Sequence, residues 1–470
     1  MIGEQIRDNI LVATIDMPGR SMNVFSNALM DAFELIIDRV ETDPAIHGLV
    51  VASGKSAFLA GADLEMAREY TKLGLVADRD ELRTACGRLG RLFLRLDALP
   101  KPTVAALNGL ALGGGLEVAM ACRWRVAVDN PRVQLGLPEV KLGLMPCGGG
   151  TQRLPRLIGI ERGLELLLNG QSVGPSASKS LGLVDQLVAK NDLIDCAVVF
   201  AKEAAQTQVP GKFPPKLAPG PFNLRDPDIV RQITRHYGYS DEVTAEYPAY
   251  DAIVRSVVEA SDVPIEDGMR IELDRVVDLM QSPVAGNMVS TLFLARQRAN
   301  KLLAQATRAA RFAVCGTGPE AQALVSALRA SHATIIDSSD SQPSDVRITS
   351  EPFDRNHVFD LKILNAPHDR RGNLTGIYIA SSSEHGIAVE IVATPGEDGV
   401  GKALALAKQL RATPYLHGGS RSLLASLATI KERATAEKLP TYLILAAQAL
   451  TPKRAGPVLR QNAGQECLAF

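Results

Sequence analysis

The sequence lacks the features that mark several classes of protein. Its six cysteines are scattered without a C-x-x-C pair, which argues against a disulfide framework or a zinc site and favours a reducing compartment. The net charge is only −1, so bulk electrostatics indicate neither a nucleic acid nor an anionic membrane as partner. No apolar run is long enough for a membrane span, and the first residues lack the apolar core of a signal peptide. We therefore expect a cytoplasmic protein with no metal, nucleic-acid or membrane partner.

The chain is long and apolar enough for several domains. It has 470 residues, of which 46% are hydrophobic and 22% charged, as in globular proteins with large cores. Apolar, β-branched runs at 9–17, 47–54 and 101–109 predict strands. Ser26 precedes an amphipathic helix that we expect to end at Asp43. Strands and helices alternate in this way to about residue 190, so the first region is predicted to be α/β.

Proline is concentrated in one stretch. Six prolines lie between residues 210 and 227, a density that breaks regular structure. The pattern then becomes helical from 228 to about 308. We therefore divide the chain into an α/β domain, a helical extension with a linker helix, a smaller Rossmann-like domain and a partly helical tail. Their predicted ranges are 1–190, 191–308, 309–415 and 416–470.

A run of three glycines, 113–115, lies between a strand-like segment and the helix-like segment LEVAMAC. Glycine lets the backbone approach a ligand closely, and a helix start leaves N–H groups without partners. Such N–H groups can hold a developing oxyanion. The alternative is a tight strand-to-helix turn without a further role, and the spacing alone does not decide between the two.

Two glutamates lie in unusually apolar settings. Glu117 interrupts an apolar run that extends from Leu110 to Cys122, and Glu139 lies within LGLPEVKLGL. Burying an unpaired carboxylate costs several kcal/mol or raises its pKa. Either residue alone could be a solvated surface glutamate. Together they indicate a pair of carboxyl groups suited to general acid–base catalysis.

Three stretches resemble the enoyl-CoA hydratase/isomerase (crotonase) family: SGKSAFLAGADL, KPTVAALNGLALGGGLEVAMAC and LGLPEVKLGLMPCGGGTQRLPRLIG. The resemblance covers nearly all of residues 1–190. It implies an α/β fold class in which stacked ββα turns form a spiral. It also implies an acyl-CoA substrate, with coenzyme A as part of that substrate and no separate cofactor. Relatives in this family are often homo-oligomers, so a homo-oligomer is an expectation here too.

The resemblance also implies roles for four residues. The backbone N–H groups of Ala62 and Gly114 would bind the thioester oxygen, and Glu117 and Glu139 would be the catalytic carboxyl groups. Relatives that perform other chemistry often lack one of the two glutamates, so their joint presence favours an enoyl-CoA hydratase. The alternatives are an enoyl-CoA isomerase or another crotonase-type reaction, and a non-catalytic acyl-CoA-binding or scaffold protein.

A second glycine-rich turn lies within RFAVCGTGPEAQALVSALRASHATIIDSSD, residues 311–340. Gly316, Gly318 and Ala321 match the pattern G-x-G-x-x-G/A, and Asp337 follows about 20 residues later, as in dinucleotide-binding domains. These four residues are the candidate NAD site. Glu320 lies in the same turn, where a carboxylate would repel a pyrophosphate.

The whole chain resembles the multifunctional β-oxidation enzymes, which join a hydratase/isomerase domain to a 3-hydroxyacyl-CoA dehydrogenase. In the matching stretch, Glu390 occupies a glutamate position of that family, but Tyr378 replaces the catalytic histidine. Tyrosine, with a pKa of about 10, is a poor base at neutral pH. Tyr378 follows Asp337 by only 41 positions, a shorter spacing than in the working enzymes. We therefore expect a degenerate dehydrogenase region that neither oxidises substrate nor requires NAD.

Overall fold

The structure is a computed structural model. It describes residues 1–205, 217–218, 220–289, 303–304, 306, 309, 311–315, 318–336, 346–349, 361–363, 375–382, 386–392, 399–411 and 413–417. The chain divides into two compact units, Met1–Val289 and Ser290–Phe470, and each is described by itself.

The first unit is built on a six-stranded sheet with the order β1-β2-β3-β4-β6-β9. All neighbours are parallel except β1 and β2, which form an antiparallel hairpin. A second, three-stranded sheet has the order β5-β7-β8. The strands are β1 (Ile2–Arg7), β2 (Ile10–Ile15), β3 (Gly48–Ser53), β4 (Thr103–Leu107), β5 (Ala111–Leu112), β6 (Trp124–Val128), β7 (Leu135–Gly136), β8 (Ser172–Val173) and β9 (Gln186–Val188).

Helices connect these strands and then continue as an all-helical extension. The helices of the sheet region are α1 (Asn27–Thr42), α2 (Leu64–Gly74), α3 (Arg79–Cys86), α4 (Arg88–Ala98), α5 (Gly114–Ala121), α6 (Gly150–Ile158), α7 (Ile160–Asn169), α8 (Pro175–Ser180) and α9 (Leu193–Ala205). The extension contains α10 (Ile229–His236), α11 (Asp241–Glu246), α12 (Pro248–Glu259), α13 (Ile265–Met280) and α14 (Pro283–Met288). Two 3-10 helices, Glu139–Leu142 and Lys190–Asp192, complete the unit.

Local sequence signals account for the first βαβ segment. The Ser26 side chain caps α1 by accepting a hydrogen bond from the Leu29 N–H, and α1 ends at Asp43, as the sequence predicts. The apolar face of α1 is buried, and β3 is buried along nearly its whole length because sheet and helices cover it. The predicted strands at 9–17, 47–54 and 101–109 correspond to β2, β3 and β4.

The first strand, β1, is not predicted by the sequence because its residues are mostly polar and exposed. Its hairpin with β2 turns at Asp8 and Asn9, which have φ angles of 50° and 65°. Aspartate and asparagine tolerate this left-handed region better than most residues. The turn therefore sets the pairing of Arg7 with Ile10.

The helical extension packs back onto the sheet region. Helix α13 contacts α2, α3, α6 and α12. The closest approach is between backbones, since a Cβ placed on Gly74 of α2 would lie 2.0 Å from the Met280 carbonyl oxygen. Arg83 and Arg79 of α3 add ion pairs to Asp274 and Asp278 of α13. The extension is thus part of the same compact unit as the sheet.

The second unit contains a seven-stranded sheet with the order β11-β10-β12-β13-β14-β15-β16. All neighbouring strands are parallel except β14 and β15. The elements are β10 (Arg311–Cys315), α15 (Pro319–Ala330), β11 (Thr334–Ile336), β12 (Val346–Thr349), β13 (Leu361–Ile363), β14 (Thr375–Ser382), β15 (Gly386–Val392), α16 (Gly399–Gln409) and β16 (Thr413–His417). Buried side chains such as Phe312, Leu328 and Leu406 form its core.

The α/β class predicted for the chain is confirmed, with a helical segment between two α/β regions. Most of the predicted linker helix before residue 308 lies outside the described residues, as do positions 418–470 of the predicted tail. None of the described helices combines the length and hydrophobicity that a transmembrane segment needs.

Candidate active site

The predicted donors Ala62 and Gly114 each follow a glycine with a positive φ angle. This angle is 91° at Gly61 and 52° at Gly113, a region that residues with a Cβ rarely adopt. A Cβ placed on Gly114 would lie 3.9 Å from the Ala62 nitrogen, so the two turns bring these residues together. Among the described residues, neither N–H donates a hydrogen bond to a backbone carbonyl. Both N–H groups can therefore point at a ligand.

The start of α5 packs directly on the loop that carries Ala62. A Cβ on Gly115 would lie 2.1 Å from the carbonyl oxygen of Leu59, well inside van der Waals contact. The same carbonyl accepts the Leu112 N–H over 3.1 Å. Only glycine permits so close an approach at this position. The glycine run 113–115 thus does more than turn the chain, because it places α5 against the neighbouring loop.

Glu117 lies one turn into α5, and only 1% of the residue is exposed. Its Oε1 atom accepts hydrogen bonds from the N–H groups of Gly148 and Gly150, over 2.7 and 2.8 Å. A Cβ on Gly148 would lie 2.9 Å from the Oε2 atom, so glycine is needed for the carboxylate to reach these donors. Hydrogen bonds from N–H groups at the start of α6 favour a charged carboxylate.

Glu139 begins the 3-10 helix that follows β7. A Cβ placed on Gly113 would lie 2.7 Å from its Oε1 atom, so the carboxyl group lies at the N-terminal end of α5. Its Oε2 atom is buried and has no hydrogen-bond partner among the described residues. The fold thus brings all four predicted residues, Ala62, Gly114, Glu117 and Glu139, to the N-terminus of α5.

A third buried carboxyl group belongs to Glu272 of α13, which is 1% exposed. Its Oε1 atom accepts the Gly149 N–H over 2.7 Å, and its Oε2 atom accepts the Thr151 N–H over 2.9 Å. The Thr151 hydroxyl donates to the same Oε2 atom. The sequence did not predict this residue. The available signal was the second glycine run, 148–150, which lies at a helix start like the first.

A buried arginine also contacts the turn that contains Gly148. Arg153 has no exposed side-chain surface and pairs with Asp97 over 2.7 Å. It also donates to the carbonyl oxygen of Gly148. A buried charge of this kind is tolerated only when it is paired and hydrogen-bonded. Arg153 therefore holds Gly148 through its carbonyl oxygen, while the Gly148 N–H donates to Glu117.

Burial raises the pKa of all three carboxyl groups. The pKa of Glu117 rises to about 7, because desolvation outweighs its backbone hydrogen bonds and the charge of Arg153. The pKa of Glu272 rises to about 8 through desolvation and the charge of Glu117. The pKa of Glu139 rises well above its ordinary value through desolvation and the charges of the other two. The site can therefore keep a carboxyl group protonated near neutral pH.

The candidate nucleotide turn lies in the second unit. Strand β10, α15 and β11 follow one another as the predicted motif requires, and β10 pairs in parallel with β11. Gly318 is the N-cap of α15, and Ala321 is buried in the first turn, whereas Gly316 and Asp337 lie outside the described residues. Pro319 occupies the first helical position and lacks an N–H, which removes one donor from the helix start.

Tyr378 and Glu390 lie opposite one another in the antiparallel strands β14 and β15. Within the described ranges, no group of three or more His, Cys, Asp or Glu side chains is placed to hold a metal ion.

Comparison with known proteins shows which family the region that contains Glu117 and Glu139 matches. Residues 5–210 match the family model of enoyl-CoA hydratase/isomerase. These residues form a crotonase-type domain. The crotonase-like fold predicted for the N-terminal region is thereby confirmed, and the domain holds Ala62, Gly114, Glu117 and Glu139.

Among curated relatives, the fatty acid oxidation complex subunit alpha of Shewanella amazonensis is 35% identical over 61% of this chain and 40% of its own length. The corresponding subunit of Idiomarina loihiensis is 37% identical over 59% of this chain and 38% of its own length. This chain thus spans about two fifths of these relatives. A solved enoyl-CoA hydratase from Bacillus halodurans is 21% identical, covers 61% of this chain and 98% of its own, and has a TM-score of 0.45.

Proposed function

We propose that this protein is an enoyl-CoA hydratase, which adds water across the trans-2 double bond of an enoyl-CoA thioester to give a 3-hydroxyacyl-CoA. The observation that carries the proposal is that the buried Glu117, the half-buried Glu139 and two backbone N–H groups without a backbone acceptor among the described residues lie together at the start of α5. Hydration is neither an oxidation nor a reduction. It therefore needs no cofactor beyond the coenzyme A that belongs to the substrate.

The backbone N–H groups match the charge that develops during hydration. Attack of water on C3 moves electron density onto the thioester oxygen, and the N–H groups of Ala62 and Gly114 would stabilise that oxyanion. The positive end of the α5 dipole lies at the same place and acts in the same direction. Donors of this kind are fixed before the reaction, so they stabilise the transition state without reorganisation.

The different environments of the two carboxyl groups support different roles. Glu117 accepts two N–H groups on Oε1, which favours its charged form as the base that removes a proton from water. The Oε2 atom of Glu139 is buried without a hydrogen-bond partner in the described part of the chain, and burial raises the pKa of Glu139, which favours the protonated form. Glu139 would then deliver its proton to C2 as the hydroxyl oxygen bonds to C3. The starting state returns when the proton on Glu117 passes back to Glu139.

The test is hydration of crotonyl-CoA, followed by the loss of absorbance of its conjugated thioester. We expect the wild-type protein to be active and the variants Glu117→Gln and Glu139→Gln to be slower by about 10² or more, the scale of general acid–base catalysis. Glutamine retains the shape of each side chain but can neither accept nor release the proton. Near-normal rates in both variants would refute the assignment.

Glu266→Gln is the matched control, because Glu266 is exposed on α13 and the chemical change is identical. A second substrate, trans-3-hexenoyl-CoA, separates hydratase from isomerase. Conversion of this compound without hydration of crotonyl-CoA would favour the isomerase. Binding of acyl-CoA without conversion of either substrate would favour a non-catalytic role. A cytoplasmic location and a homo-oligomer remain predictions.

A further inference from the structure

Two carboxylates divide four consecutive backbone donors between them. These donors belong to residues 148–151, which we call the 148–151 segment. Glu117 accepts the N–H groups of residues 148 and 150, and Glu272 accepts those of residues 149 and 151. The donor–acceptor distances range from 2.7 to 2.9 Å. The two side chains come from α5 and α13, and α6 begins between them. A shift of either carboxylate would therefore move the donors of the other.

Glu272 has hydrogen-bond donors on both of its carboxyl oxygens. Both of its oxygens are occupied, and the Thr151 hydroxyl that donates to Oε2 also contacts Ser256 of α12 over 2.8 Å. A Cβ on Gly149, which has a φ of 94°, would overlap Arg153. The turn therefore favours glycine at this position, and Glu272 accepts two of its four N–H groups.

We propose that Glu272 is a positioning residue: its carboxyl group fixes the 148–151 segment and, through that segment, holds Glu117 in the geometry that hydration requires. This inference rests on the proposed hydratase function. It extends the site to a helix that lies beyond the residues matching the family model, which end at 210. Misplacing a reacting group by about 1 Å can cost about 10²-fold in rate, so the effect on turnover should be measurable.

Glu272 also acts on the protonation of the site. Its charge raises the pKa of Glu139 and of Cys147, while Glu117 in turn raises the pKa of Glu272. The ionisable groups that face it from the surrounding elements are Glu117 of α5, Glu139 of the 3-10 helix, Cys147 of the preceding loop and Arg153 of α6, whose guanidinium contacts Met269 on α13. Because the pKa of Glu272 is about 8, this charge is present on the alkaline side of neutrality, where its removal should make Glu139 easier to deprotonate.

The decisive variant is Glu272→Gln, with Glu266→Gln as the control on the same helix. An amide has one oxygen, so glutamine cannot accept both the Gly149 and the Thr151 N–H groups. We expect kcat for crotonyl-CoA to fall by about 10-fold or more, with KM within about twofold because both Glu272 oxygens are already occupied by donors of the 148–151 segment. The alkaline limb of the kcat profile should move to lower pH, since Glu139 must stay protonated. Unchanged kcat and an unchanged pH profile would overturn the proposal.

Hydrogen exchange measured by mass spectrometry gives a readout that does not need activity. Peptides covering the 148–151 segment should exchange faster in Glu272→Gln than in wild type or Glu266→Gln, and equal exchange would overturn the proposal. If Glu272→Gln does not fold, Thr151→Val decides, because it keeps the approximate shape of the side chain and removes the hydroxyl that donates to Glu272, together with the contacts of that hydroxyl to Gln152 and Ser256. We expect a several-fold fall in kcat and faster exchange there, and wild-type values in both would count against the proposal. If the wild-type protein fails to hydrate crotonyl-CoA, the proposed function fails, while the exchange comparison still tests the positioning.

Discussion

At the scale of single residues, Glu117 accepts two backbone N–H groups on one oxygen, whereas Oε2 of Glu139 is buried with no partner among the described residues. A carboxylate held by N–H donors is stabilised in its charged form, and a buried carboxyl oxygen without a donor is more stable when protonated. The two glutamates therefore differ in the protonation state that each environment favours. This difference is what a paired acid and base require.

We predict a bell-shaped dependence of kcat/KM on pH for crotonyl-CoA. Activity should fall on the acidic side as Glu117, with a pKa of about 7, becomes protonated. It should fall on the alkaline side as Glu139, whose pKa is well above its ordinary value, loses its proton. The two limbs belong to the coupled pair, so each apparent pKa is macroscopic. Steady-state rates between about pH 5 and 10 test this, and a flat profile would contradict it.

The same groups should make the first unit less stable as pH rises. The folded-state pKa values of Glu117 and Glu272, about 7 and about 8, lie above the ordinary value of 4.5. Between pH 4.5 and these folded-state pKa values, the folded protein binds more protons than the unfolded protein. The free energy of unfolding therefore decreases as pH rises through this range. We expect the melting temperature to fall from pH 6 to 8, and to fall less in Glu272→Gln. Equal slopes in the two proteins would exclude Glu272 as a contributor.

At the scale of secondary-structure elements, α13 is held by two kinds of contact of very different strength. The ion pairs of Arg83 with Asp274 and of Arg79 with Asp278 are about two fifths exposed, and exposed pairs contribute little. The approach of Gly74 to the Met280 carbonyl is a backbone contact inside a packed interface. Backbone atoms cannot move aside as a flexible side chain can.

We predict that Gly74→Ala destabilises the first unit by about 1–3 kcal/mol, the usual cost of overpacking. Alanine favours a helix by up to about 1 kcal/mol over glycine, but its Cβ would lie 2.0 Å from the Met280 oxygen. Gly401→Ala in α16 of the second unit is the control for the change in helix propensity alone, because no described atom lies within 4 Å of a Cβ placed there. Chemical denaturation measures both changes. If Gly74→Ala were as stable as the control, the close packing of α2 on α13 would be wrong.

The sequence predicted some of these elements and residues because their signals are local. Glu117 could be recognised as buried since it interrupts an apolar run, and Ser26 could be recognised as a helix cap. Glu272 has no such signal, because its helix, IEDGMRIELDRVVDLM, contains several other acidic residues. Its burial comes from contacts with residues 121 positions earlier in the chain. Strand β1 was missed because its pairing with β2, and not its composition, makes it a strand.

At the scale of the whole molecule, the chain joins a crotonase-type domain to a second α/β unit with its own core. The second unit has a strand, a helix and a second parallel strand in the order of a nucleotide-binding motif. Its helix begins with Pro319, and its sequence has Tyr378 where the resemblance implies a catalytic histidine. Residues such as Phe312 and Val346 form a core within this unit, so we expect it to fold without a nucleotide.

We predict that the second unit does not oxidise 3-hydroxyacyl-CoA. Hydride transfer needs a base on the substrate hydroxyl, and tyrosine, with a pKa of about 10, does not supply one at neutral pH. Purified protein with 3-hydroxybutyryl-CoA and NAD should give no increase in the absorbance of reduced nicotinamide. Sustained turnover that disappears in Tyr378→Phe would overturn this prediction. Calorimetric titration with NAD tests binding separately, and we expect none.

The hydrogen bonds from the 148–151 segment to Glu117 and Glu272 determine the shortest fragment of this chain that keeps the site intact. Sequence similarity to the family model ends at residue 210, yet the acceptor for the Gly149 and Thr151 N–H groups lies at Glu272. A fragment cut at the end of that similarity would remove the acceptor of both donors and expose the side of α6 that α12 and α13 cover. The smallest portable piece therefore has to include α13, and a fusion or transplant has to be joined after Met280 instead of inside the proline-rich stretch.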